Sequence, residues 1–70
     1  MTRFSKRRKT YMKRTHDLAQ DCDAQVYTVV RKNNTFWVYN SHPQDMTWPP
    51  SIQNIMQSYP LPYMLSPESF

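Results

Sequence analysis

Seven of the nine Lys and Arg residues fall within the first fourteen positions, as Arg3, Lys6, Arg7, Arg8, Lys9, Lys13 and Arg14. Side chains of this type at this density do one kind of chemistry well. They neutralise a polyanion, nucleic acid first and an anionic membrane second. The formal net charge of +4 conceals the block, because residues 15–70 hold only Arg31 and Lys32 against five acids. Covalent chemistry has no comparable set to work with. The chain contains no glycine, hence no glycine-rich phosphate loop, and its acids are scattered with no convincing nucleophile–base pair. An enzyme is not expected. His16, His42 and Cys22 lack the paired spacing of a metal site, so no metal or other cofactor is expected either.

The elements that present these charges must come from a single small domain. A 70-residue chain buries only about 60% of its unfolded surface and commonly leans on disulfides, a metal or a second subunit. Cys22 is the only cysteine, which leaves no internal disulfide framework and suits a reducing compartment. Association is the remaining staple. No apolar run approaches the roughly twenty residues of a membrane span, and no apolar stretch follows the basic block as a secretory signal requires. A membrane-surface helix is disfavoured because the bases are spread around the helix rather than gathered on one face.

A first helix is expected over residues 4–21. Phe4, Tyr11, Thr15, Leu18 and Cys22 recur at helical spacing, and the aliphatic stem of Arg8 completes the stripe. The stripe is narrow, closer to a helix–helix seam than to a face sunk in a large core. Its charge polarity is reversed, with bases at the start and Asp17, Asp21 and Asp23 at the end. A helix macrodipole disfavours that order by roughly 0.3–1 kcal/mol per well-placed charge, so something outside the helix must compensate.

Two strands are expected over residues 25–31 and 35–40, both rich in β-branched and aromatic side chains. Asn33 and Asn34 lie between them, and asparagine tolerates the positive φ that a tight hairpin demands. Both alternating residue sets are largely apolar, so the hairpin expects cover on both faces. The first helix supplies one cover. A second helix over residues 50–58 is expected to supply the other through Ile52, Ile55, Met56 and Tyr59, with proline in its first turn and Pro60 ending it. Tyr27, Trp37 and Tyr39 read as packing groups rather than as base-stacking platforms, and Cys22 and His16 as packing or surface residues. Residues 60–70 are expected to form an extended Pro-rich tail.

Several of these stretches, taken in order, resemble the MADS-box DNA-binding domain. Phe4-Ser-Lys-Arg-Arg8 is similar to the family's Phe-Ser-Lys-Arg-Arg/Lys signature, Lys13-Arg14 to its basic pair, and Asp17-Leu18 to its Glu-Leu. Cys22-Asp-Ala-Gln-Val26 resembles the family's Cys-Asp-Ala-Glu-Val, without a gap from Phe4. The resemblance implies an α+β fold over residues 1–59: a long basic helix, a two-stranded antiparallel hairpin and a short second helix, assembled as a dimer. In such dimers the long helices pack antiparallel across the DNA minor groove, the hairpins join into one sheet, and the second helices cap it. Carried over, Lys6 is the guanine reader, and Arg3, Arg7, Lys9 and Lys13 are candidate phosphate contacts. Tyr11, Thr15, Leu18, Cys22, Val26 and Val30 are the candidate dimerisation residues.

The function so implied is that of a nuclear, sequence-specific transcription factor domain. It would bind double-stranded DNA at A/T-rich sites flanked by C·G pairs, as a homodimer or as a heterodimer with MADS-box relatives. Lys6-Arg-Arg-Lys9 also has the character of a nuclear import signal. One departure supports an alternative. The family's signature follows a Gly-Arg-x-Lys-Ile arm, whereas Met1-Thr-Arg3 precedes Phe4 here. An arm-less unit would bind DNA weakly and titrate full-length relatives.

Overall fold

The computed structural model describes residues 2–70 and has an α+β architecture. Helix α1 (Arg3–Cys22) is followed by strands β1 (Tyr27–Lys32) and β2 (Thr35–Asn40), the short helix α2 (Ile52–Met56) and a 3-10 turn at Pro67–Ser69. The long helix and the hairpin lie within a residue or two of their expected bounds.

α1 starts where Thr2 caps it: the hydroxyl oxygen accepts the Ser5 backbone N–H at 3.1 Å. It stops where Asp23 turns left-handed at φ 50° and its N–H bonds back to the Ala19 carbonyl. No acid occupies the first turn and no base the last, so the reversed polarity is a property of the folded helix.

The hairpin turns through Asn33 and Asn34, both with positive φ (52° and 63°). These values define the two-residue turn whose twist matches that of paired strands. The register pairs Lys32 with Thr35, Val30 with Trp37 and Thr28 with Tyr39. Period-2 alternation then sorts the side chains onto two faces. Thr28, Val30, Trp37 and Tyr39 are half-buried on the face toward α1. Tyr27, Val29, Phe36 and Val38 remain exposed on the other.

Helix and hairpin are joined by three sets of contacts. Phe4 meets Trp37 edge-on at 5.1 Å between ring centroids. Further along, the Tyr11 hydroxyl bonds Thr28 Oγ1 at 2.6 Å. At the far end, His16 Nδ1 bonds the Tyr39 hydroxyl at 2.8 Å. The packed face of α1 is therefore Phe4, Arg8, Met12, Thr15, His16 and Ala19, with Tyr11 reaching β1 from its edge through the hydroxyl. It is rotated from the expected stripe, and Tyr11, Leu18 and Cys22 of that stripe stay exposed.

The second helix departs further from expectation. Pro49 and Pro50 lie outside it, and Ser51 is its N-cap, accepting the Asn54 N–H at 3.1 Å. It ends at Met56, two residues short of residue 58. Nor does it cover the sheet, since Ile52 and Met56 are about 60% exposed and Tyr59 is almost fully so. Five residues form barely more than one helical turn, which has little intrinsic stability to hold a docked position. The tail is extended as expected, apart from the 3-10 turn at Pro67–Ser69.

Within one chain the core is correspondingly slight. Only Thr15 and Ala19 are buried among the described residues. The radius of gyration of 13.9 Å exceeds the roughly 11 Å of a compact domain of this length.

Candidate nucleic-acid interface

The basic block lies on α1, and packing divides it. Arg8 turns inward. Its guanidinium carbon stands 4.9 Å from the Trp37 ring centre and 5.9 Å from that of Phe4, while Lys32 Nζ stands 4.6 Å from the Phe4 ring. Two cations on two aromatic rings tie the start of α1 to both strands, and each such interaction gains strength as water is removed. Arg8 Nε is shielded from solvent without a hydrogen-bond partner, which marks Arg8 as a packing residue rather than a ligand for phosphate.

Arg3, Lys6, Arg7, Lys9, Lys13 and Arg14 are exposed. Lys6, Lys9 and Lys13 follow one another at i, i+3 and i+7, a spacing that keeps them on neighbouring parts of the helix surface. They fall between the packed positions, but Lys6 also lines a groove that reaches Val30 of β1, so the row is not turned wholly away from the hairpin. Lys13 is also engaged within the helix: its Nζ donates to Asp17 Oδ1 at 2.7 Å. That hydrogen bond and the adjacent carboxylate charge hold the Lys13 ammonium above the ordinary lysine range. A phosphate would have to compete with Asp17 for it.

Arg7 and Arg14 emerge beside Lys6. With Lys6, Arg8 and Thr10 they line an open groove of about 660 Å³, whose apolar lining is Phe4, Tyr11 and Val30. Arg7, assigned from the sequence to phosphate, thus shares a groove with two candidate dimerisation residues, Tyr11 and Val30. Leu18 is 53% exposed, Cys22 is exposed, and Val26 is half-buried. Thr15 is placed differently. It is buried inside the chain and its hydroxyl donates to the Tyr11 carbonyl at 2.9 Å, leaving little of it for a second subunit.

A smaller cleft of about 430 Å³ lies between the start of β1 and α2, lined by Val26, Tyr27, Trp48, Pro50, Ile52 and Ile55 among others. Here Asp45 acts as a local anchor. Its Oδ1 accepts the Thr47 hydroxyl at 2.7 Å and the Thr47 N–H at 2.9 Å, and its Oδ2 accepts Gln25 Nε2 at 3.2 Å. Among the described residues no three His, Cys, Asp or Glu side chains gather as a metal site needs, and no helix is long and apolar enough to cross a membrane.

Sequence reasoning passed over Lys32, and it placed Arg8 on the packed stripe by its stem without foreseeing that the guanidinium meets two aromatic rings. The available signal was the placement of Arg8 on the apolar stripe of the first helix, four residues after Phe4. No protein-family model, curated protein or solved structure matches the chain.

Proposed function

We propose that this chain is a MADS-type DNA-binding domain that works as a dimer in the nucleus and reads duplex DNA through the basic half of α1. The carrying observation is the separation of duties on that helix: Arg8 is withdrawn into packing while Arg3, Lys6 and Lys9 stay exposed and unmatched by acids in the first turn. Phosphate attraction then compensates for the reversed polarity, because displaced counterions make each neutralised phosphate favourable. Lys6 is the base reader of this scheme, Arg3 and Lys9 its phosphate ligands, and Lys13 a third such ligand moderated by Asp17. The slight core and the bare outer face of the hairpin support a dimer, since a second subunit would bury apolar surface that one chain leaves wet.

The test is fluorescence anisotropy on duplexes with A/T-rich and G/C-rich cores at several salt concentrations. If Arg3 and Lys9 of each subunit neutralise one phosphate each while Asp17 retains Lys13, the dimer neutralises four and the log–log salt slope is about −3.6. Lys6→Ala should cost about 1–3 kcal/mol on sites with flanking C·G pairs. Lys9→Ala should instead weaken all sequences alike and flatten the slope by about one unit for each phosphate no longer neutralised. Asp17→Asn releases Lys13 and should tighten binding on every sequence. A folded dimer that binds neither duplex would overturn the DNA reading in favour of a dimerisation module that titrates relatives.

A further inference from the structure

The basic half of α1 carries the hydroxyls of Ser5, Thr10 and Tyr11, and packing occupies two of them. Ser5 is half-buried and its oxygen accepts the Thr2 hydroxyl at 3.0 Å, while the Tyr11 hydroxyl is bonded to Thr28. Thr10 is exposed, and its Oγ1 donates to the Lys6 carbonyl one turn back at 3.1 Å. That bond uses the proton of Thr10 and leaves the lone pairs of its oxygen to solvent. Two patterns surround this hydroxyl. Arg7 and Arg8 stand three and two residues before it. A kinase whose substrate cleft carries carboxylates selects a hydroxyl by such a pair, because each guanidinium can form a charge-assisted pair with a carboxylate. Lys6, Arg7, Lys13 and Arg14 occupy i−4, i−3, i+3 and i+4, the helix positions adjacent to Thr10. Three of them, Lys6, Arg7 and Arg14, line one groove with Thr10, and the fourth, Lys13, is held by Asp17.

We infer that Thr10 is a phosphorylation site, and that its phosphate switches DNA binding off by engaging the surrounding cations within the helix. The inference rests on the DNA reading above and supplies its regulation. The co-substrate is ATP, delivered by a kinase of the cleft chemistry just described. Thr10 Oγ1 bonds to the γ-phosphorus as the bond from that phosphorus to the β,γ-bridging oxygen breaks. ADP leaves with the electron pair, and the hydroxyl proton passes to the catalytic carboxylate of the kinase. Arg8 rests on two aromatic rings in the docked helix, so the kinase acts on the locally opened form in which the first turns of α1 have left the hairpin. On re-docking, the phosphate brings a charge of about −1.5 to −2 into the groove shared with Lys6, Arg7 and Arg14. Charge-assisted hydrogen bonds from these side chains hold it there. Lys6 is then drawn from its base contact, and a DNA phosphate approaching the same surface meets a like charge, which is disfavoured.

The test treats the full chain with magnesium, ATP and a basophilic kinase, the catalytic subunit of the cyclic-AMP-dependent enzyme. Peptide mass spectrometry should locate a phosphoryl group on Thr10. Fluorescence anisotropy should then show binding weakened at least about tenfold on A/T-rich and G/C-rich duplexes alike, because fewer counterions are displaced. Circular dichroism should show the helix retained, since the added charge is matched within it. Thr10→Val keeps the branched shape and removes the acceptor, and it should bind DNA equally with and without kinase treatment. Phosphoryl transfer that bypasses Thr10, unchanged affinity after transfer to Thr10, or a loss of binding that accompanies loss of helix would each overturn the switch while leaving the DNA reading standing. So would an equal loss in treated Thr10→Val. An untreated, folded chain that binds neither duplex would overturn the DNA reading and the switch with it.

Discussion

Replacing Trp37 by alanine should remove a large part of the stability of this domain. Complete burial makes a Trp→Ala change cost about 3–5 kcal/mol, and half burial reduces the packing part to about 2 kcal/mol. The edge-on pair with Phe4 at 5.1 Å adds about 0.5–1.5 kcal/mol. Arg8, 4.9 Å from the ring centre, adds about 0.5–1 kcal/mol. The sum is about 3–4.5 kcal/mol, against a total on the order of 3.5–10 kcal/mol for a chain of this length. Urea unfolding followed by far-UV circular dichroism, at matched protein concentration, measures the effect, and Trp48 remains as a fluorescent probe. Arg8→Met keeps the stem and deletes the charge, so a double-mutant cycle isolates the cation–ring part at about 0.5–1 kcal/mol. A Trp37→Ala cost below about 0.5 kcal/mol, the scale of an ordinary surface substitution, would refute the view that this cluster fastens helix to hairpin.

Two further outcomes follow from local geometry. Asn34→Ala at φ 63° should cost about 1 kcal/mol, because alanine keeps the Cβ but lacks the short polar side chain whose local hydrogen bonding lets asparagine adopt the left-handed region, whereas Asn34→Gly should stay within about 0.5 kcal/mol; equal urea midpoints for the two would contradict the turn geometry. The Thr47 hydroxyl and N–H hold the Asp45 carboxyl below the ordinary carboxylate range. Its contribution to stability is therefore complete above the unfolded pKa and lost as pH falls through the depressed folded value. Asp45→Asn should flatten this acid limb, and an Asp45 NMR titration at or above the ordinary carboxylate value would refute the assignment.

The helix and the hairpin were legible because their signals are local. A period of 3.6 and a period of 2 change over between residues 22 and 27, and two asparagines mark the turn. The packed face of α1 was harder to read. Apolarity selected Tyr11, Leu18 and Cys22, but the hairpin approaches along Thr15 and Ala19, whose small side chains permit close approach. Arg8 joins them because its charge is met by aromatic faces, a pairing that hydropathy cannot register. The exposed cations of the interface were evident as a block, yet which of them face outward depended on that rotation. The second helix was overestimated for a related reason. Ile52, Ile55 and Met56 have the right spacing, but periodicity does not reveal whether a helix of one turn docks on anything.

The docking of α1 on β2 also sets the order in which the chain can fold. The hairpin closes around two residues, and α1 forms through contacts within a few residues, so both rest on local events of nanoseconds to microseconds. Joining them is different. His16 reaches Tyr39 across 23 residues, and the entropy of closing that loop is lost before Phe4, Arg8 and Trp37 can meet. Helix docking is then the late step, and the aromatic–cation cluster acts as a latch that chiefly slows opening. Weakening the latch shortens the lifetime of the closed state, whereas weakening the asparagine turn delays its arrival.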